Sequence, residues 1–168
     1  MMARPSLAVT SNGASEHRVP KAAGKSSRSA RRRARELALQ GVYQWLVGGH
    51  GAAAIEAHAK EDDQLGPGVD LGHYRELVTG VIDGAIDLRS RFAPHLDRRP
   101  EVLSPIEHSI LLIATYELLH RLEIPYRVII NEAVELAKSF GGTDGFRYVN
   151  GVLDKVAVEL RASEAGPR

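Results

Sequence analysis

Apolar residues recur along this chain at the 3.6-residue period of an α-helix, and the period breaks at glycines, prolines and short polar runs. Ala34, Leu37, Ala38, Gly41, Val42 and Trp45 mark a first helix that Gly48-Gly49 stops. A shorter helix is predicted around Ala52–Lys60, followed by the polar, Gly/Pro-containing linker "EDDQLGPGVD". Leu71, Tyr74, Val78, Ile82, Ala85 and Ile86 outline a third helix that breaks near Pro94. The fourth carries the clearest start signal. Ser104 is an N-cap, Pro105 occupies the first helical position, and Glu107 completes a Ser-x-x-Glu capping box. Ile106, Ile110, Ile113, Ala114 and Leu118 form its buried stripe. Pro125 separates it from a fifth helix with Ile129, Ala133, Leu136, Ala137 and Phe140 on one face, ended by Gly141-Gly142. Thr143 or Asp144 then caps a sixth, with Val149, Leu153, Val156 and Leu160 inward.

No stretch reads as a hairpin, so the pattern predicts an all-α chain whose short connections make neighbouring helices antiparallel. The linker near 61–70 and the bridge "LDRRPEVLS" divide it into two halves of three helices. The expected organisation is a disordered basic leader over 1–28, an N-terminal helical subdomain over 29–100, a C-terminal three-helix subdomain over 101–162, and a tail over 163–168. No internal repeat suggests a solenoid.

The charge distribution adds what the helix pattern hides. The net charge is only +1, yet residues 1–35 hold nine Lys/Arg against Glu16 alone, giving +8. The rest holds 13 basic and 20 acidic residues, giving −7. A basic arm on an acidic body points to nucleic-acid contact by the arm. "SARRRARELALQGVYQW" loads its cations onto what the pattern makes the start of a helix, where the macrodipole disfavours them. An external ligand is therefore expected to need them. Arg28, Arg32 and Arg35 fall at i, i+4 and i+7, with Arg31 beside them, and guanidinium groups grip phosphates bidentately. In "GFRYVNG", Arg147 and Tyr148 set a cation beside an aromatic ring, a pairing suited to single-stranded RNA.

Signs of catalysis are missing from the sequence. The chain has no cysteine, which excludes disulfides and thiolate metal sites, and its seven histidines form no ligand spacing. They read as solvated or core-edge residues. Glu117, Glu132, Glu135 and Asp154 read as solvated faces of amphipathic helices rather than an acid/base set. "GGTDG" lacks both the Gly-Lys-Ser/Thr ending and the preceding strand of a phosphate loop. No apolar run is long enough to span a membrane. No cofactor and no metal are expected.

"ARRRARELALQGVYQW", "IPYRVIINEAVELAKSFGG" and "RYVNGVLDKVA" resemble the NusB transcription antitermination factors, in order and spacing, over roughly residues 29–160. The resemblance implies two three-helix subdomains set perpendicular to each other, in a bacterial cytoplasm, with no catalysis. It implies binding of boxA RNA in ribosomal RNA leader transcripts together with the ribosomal protein NusE. It also implies joining NusA and NusG on RNA polymerase. By the same likeness RNA contacts carry to Arg31, Arg32, Arg33 and Arg35 and to the pair Arg147–Tyr148, where the family pattern is Lys–Phe; Arg28 extends the first set. Partner contacts carry to Tyr43, Glu107 and Asp144. The alternative is a non-catalytic, homodimerising interaction module whose basic arm is nonspecific.

Overall fold

The computed structural model describes residues 23–166, and the expected disorder of residues 1–22 lies outside them. The described residues form seven α-helices: α1 (Ala23–Gly48), α2 (Ala52–Glu61), α3 (Leu71–Phe92), α4 (Pro105–His120), α5 (Tyr126–Phe140), α6 (Gly145–Leu160) and the short α7 (Ala162–Ala165). Two 3₁₀ turns, Ala93–His95 and Pro100–Val102, shape the α3–α4 connection.

The punctuation works largely as its chemistry dictates. Gly49 follows α1 with φ of 72°, a left-handed conformation that glycine adopts without a Cβ penalty. The Asp70 side chain accepts from the His73 N–H at 3.0 Å and caps α3, while its own N–H donates to the Ala30 carbonyl at 3.0 Å. The linker is thereby tied back to α1. Ser104 accepts from the Glu107 N–H at 3.1 Å, with Pro105 opening α4. Only this half of the expected capping box forms, because the Glu107 carboxylate is directed elsewhere.

The first expectation to fail is the start of α1. It begins at Ala23, inside the segment read as leader, so Arg31 to Arg35 sit in its third and fourth turns. The dipole argument does not apply there, since that field fades beyond the first turn. The second is the single buried stripe of α4. Ile110 to Thr115, Glu117 and Leu118 are all buried, because α1, α3, α5 and α6 enclose this helix. A helix apolar on every side is a central one. Elsewhere Ile86 is 85% exposed and Phe140 lies at the surface, so both leave the inward faces assigned to them.

One continuous apolar cluster joins all six long helices, running from Ala34 and Leu37 through Tyr74, Phe92 and Leu112 to Leu153 and Val156. The two three-helix sets therefore share a core, with α4 at its centre. Among the described residues no helix is long and apolar enough to cross a membrane.

Candidate nucleic-acid interface

The arginines of α1 separate by depth. Arg28, Arg32 and Arg33 are exposed and Arg31 is half-buried, whereas Arg35 is only 4% exposed. Carboxylates explain why this cationic run is tolerated inside a helix. Arg32 donates to both oxygens of Glu132 on α5, at 3.0 and 2.8 Å. Arg33 reaches Glu36 at 2.9 Å, and Arg31 lies 3.9 Å from Asp70. Arg28 has no ion-pair partner among the described residues. The cationic ends of the Arg32 and Arg33 pairs are open to solvent, so these pairs stabilise the fold little and their guanidinium groups are accessible to a phosphate.

Arg35 does something different. Its Nε and Nη2 each donate at 2.8 Å to Glu117, which is 1% exposed on α4. Buried His73 completes the group. Arg121 lies 3.2 Å from its Nδ1, and its Nε2 faces Glu117 at 3.4 Å. With Nδ1 accepting from the arginine, Nε2 carries the proton toward the carboxylate. Burial opposes ionisation of Glu117, but the two hydrogen bonds and the charge of Arg35, with His73 alongside, outweigh it and hold the carboxyl down at about 2. Two sequence expectations change here. Glu117 is no solvated face, and Arg35 is buried with its Nε and Nη2 edge committed to Glu117 and its Nη1 4.0 Å from Glu132 at the groove floor.

Above this buried knot α1 and α5 form an open groove of about 730 Å³, lined by Arg28, Arg31 and Arg32 on one side and by Val128, Glu135 and Lys138 on the other. Lys138 links the groove to the start of α6. Its Nζ lies 5.2 Å from the centroid of Phe146, and Arg147 lies 5.6 Å from the same ring. Lys138 and Arg147 thus flank one ring, which sets the arginine groove beside the first turn of α6, while Tyr148 faces the α3–α4 connection.

Tyr148 is half-buried, neither in the core nor free. Its hydroxyl donates to Asp97 at 2.9 Å, and the Arg98 guanidinium lies 4.7 Å from its ring centroid. Of the three residues expected at a partner surface, Glu107 and Asp144 come together. Glu107 Oε1 would stand 2.6 Å from a Cβ at Gly145, which places that carboxylate against the first turn of α6, next in sequence to Asp144. Asp144 itself is exposed and makes no side-chain cap. Tyr43 is 37% exposed on α1, with no described contact to either.

A sequence profile for the NusB family matches residues 32–158. The transcription antitermination protein NusB of Bordetella pertussis (strain Tohama I) is 55% identical over 149 residues, spanning 85% of this chain and 96% of that protein. The chain belongs to the NusB family of transcription antitermination factors. NusB of Azoarcus sp. (strain BH72) is likewise 55% identical over 139 residues, 83% of this chain and 90% of its own. A solved structure of T. maritima NusB superposes with a TM-score of 0.67 at 28% identity, covering 77% of this chain and 91% of that one. The profile takes in Arg32, the α5 wall of the groove and the start of α6, while Arg28 and Arg31 precede it.

Sequence reasoning missed Lys138, Phe146, Asp97 and Arg98. For Phe146 a signal existed, since it adjoins Arg147 in the same "GFRYVNG". Asp97 and Arg98 reach Tyr148 only through the packing of the α3–α4 connection on α6. Two of the seven histidines are also deeper than expected. His73 joins the buried knot. His108, 6% exposed, accepts from Arg89 Nε at 2.9 Å, and burial followed by the charge of Arg89 holds it down at about 4. Among the described residues no three His, Asp or Glu side chains converge as metal ligands.

Proposed function

We propose that this chain is a non-catalytic RNA-binding adaptor of the bacterial cytoplasm that, with NusE, holds boxA RNA of ribosomal RNA leader transcripts. In that role it joins NusA, NusG and RNA polymerase in the antitermination complex. The observation that carries the reading is the link made by Lys138, which lines the arginine groove and also lies against the Phe146 ring beside Arg147. A single strand crossing α5 would meet Arg28, Arg31, Arg32 and Arg33 at one end and Arg147 and Tyr148 at the other. Cations that follow a backbone and rings that take bases are the means by which proteins hold unpaired RNA.

Glu107 and Asp144 provide an acidic spot next to the aromatic end of this track, suited to a basic ribosomal protein. RNA and NusE would then meet at the first turn of α6. Arg35 acts beneath the surface, fixing α1 against α4.

The test is a titration of labelled boxA RNA and of a scrambled RNA, each with and without NusE. Binding that prefers boxA and tightens with NusE supports the proposal. Equal, weak binding of both RNAs, unaffected by NusE, would overturn it in favour of a homodimerising module with a nonspecific basic arm.

A further inference from the structure

The α3–α4 connection carries an arrangement that neither the fold nor the capping of its neighbours requires. Arg98 is exposed and lies across the ring of Tyr148, with its guanidinium carbon 4.7 Å from the ring centroid. Its Nε and Nη2 donate to the two oxygens of the preceding Asp97 at 2.6 and 3.1 Å. Asp97 in turn accepts from the Tyr148 hydroxyl at 2.9 Å, and its backbone N–H points back to that oxygen at 3.4 Å. Three residues are thus interlocked on the open side of α6. Hydrogen bonds from Arg98 first, then Tyr148, pull the Asp97 carboxyl down to about 2, so it stays ionised at neutral pH.

An exposed ion pair between chain neighbours contributes little to folding. What it does here is fix a guanidinium edge-on to a carboxylate and over an aromatic ring. A bidentate fork that accepts a carboxylate accepts a phosphate in the same geometry. We propose that Arg98, with Arg147 and the Tyr148 ring, forms a subsite for one phosphodiester of bound RNA, in which Asp97 holds the place of the phosphate until RNA arrives. This subsite rests on the reading of Tyr148 as a base-stacking ring. When a base reaches the ring, Arg98 passes from the Asp97 carboxylate to the adjoining phosphate without leaving the site. The connection between the two halves of the protein thereby becomes part of the RNA surface.

The test uses the full chain, NusE and labelled boxA RNA, with affinity measured across a salt series. Arg98→Gln is expected to weaken binding several-fold and to lower the log–log salt slope by ~0.7, one phosphate contact on a single strand. Asp97→Asn keeps a hydrogen-bonding partner for Tyr148 but removes the competing charge, so it is expected to tighten binding. Arg75→Gln, at an arginine paired with Glu56 away from this surface, controls for net charge and should leave the slope unchanged. If Tyr148→Ala weakens binding while Arg98→Gln leaves it unchanged or tighter, Tyr148 stacks and the phosphate subsite is overturned. If Tyr148→Ala has no effect, the stacking reading has failed and the joint subsite fails with it. A slope change for Arg75→Gln equal to that for Arg98→Gln would reduce the effect to net charge and overturn the subsite too.

Discussion

Arg32 and Arg35 stand three positions apart on one helix, and each holds a carboxylate with two hydrogen bonds of 2.8–3.0 Å. Their settings are opposite. The Arg32 side chain is 56% exposed and its partner sits on the rim of a groove, whereas Arg35 and Glu117 are sealed between α1 and α4. The same fork therefore acts as an exchangeable grip in one place and as a lock in the other. In water the pair competes with solvent and salt, and a phosphate can replace the carboxylate at little cost. Sealed away, neither charge can be left alone, and the geometry of the helix pair depends on both.

The comparison breaks most sharply at Arg35. Truncation to alanine strips the buried Glu117 carboxylate of both its hydrogen bonds and its charged partner, leaving only His73 facing it, and should lower unfolding stability by ~3–5 kcal/mol, read from urea denaturation. Replacing both partners together, Arg35→Met with Glu117→Leu, should recover most of that loss, since no uncompensated charge remains. A single Arg35→Ala change that leaves stability within experimental scatter would show that the pair is no lock.

Acid should reach the same knot without mutation. The folded Glu117 carboxyl is held at about 2 against an ordinary 4.5. Its contribution is present in full above pH 4.5 and is lost as pH falls through 2, in total on the order of 3 kcal/mol. His108 acts earlier in the descent. Its folded value of about 4 lies below the ordinary 6.5, so stability it supports above pH 6.5 declines toward pH 4. Urea midpoints between pH 7 and 2 should show both declines, and the Arg35→Met, Glu117→Leu double variant should lose only the lower one. A double variant with the parent's full acid profile would contradict this assignment.

Tyr148 offers a smaller effect in a different observable. Tyr148→Ala should weaken RNA binding by ~1–3 kcal/mol, the value of one lost stack. Tyr148→Phe keeps the ring while losing the hydroxyl bond to Asp97, so it should stay within a few-fold of the parent in a fluorescence titration. If alanine instead costs mainly stability and the folded fraction binds normally, the ring is structural.

Much of the fold was legible because its boundaries are local chemistry. Ser104-Pro105, Gly48-Gly49, Asp70-Leu71 and Pro125 stop or start helices wherever they stand. The depth of a charge is not local in that way. Arg35 shares its face with Ala38, Leu39 and Val42, at +3, +4 and +7, all of them fully or almost fully buried, and Glu117 shares one with Ile113 and Ala114. That signal was present, but an arginine among arginines reads as part of a solvated row. The helix dipole has no bearing on these cations for a simpler reason: eight more residues of helix precede Arg31, and nothing in their Ser/Gly/Lys-rich composition marks them as helical. Lys138 and Arg98 could not be assigned from spacing, since their partners Phe146 and Tyr148 lie on another element and only the packing of α5 and of the α3–α4 connection against α6 brings them together.

The central claim is that the outward arginines of α1 serve RNA and the inward one serves the fold. The most direct measurement is the salt dependence of boxA RNA binding by the triple variant Arg31→Gln, Arg32→Gln, Arg33→Gln, with NusE present and thermal unfolding followed in parallel. Three lost phosphate contacts at ~0.7 each should lower the log–log slope by about 2, while the melting temperature moves by only a few degrees. An unchanged slope, or a collapse of the cooperative transition with RNA affinity retained in the folded fraction, would contradict the division of labour along this helix.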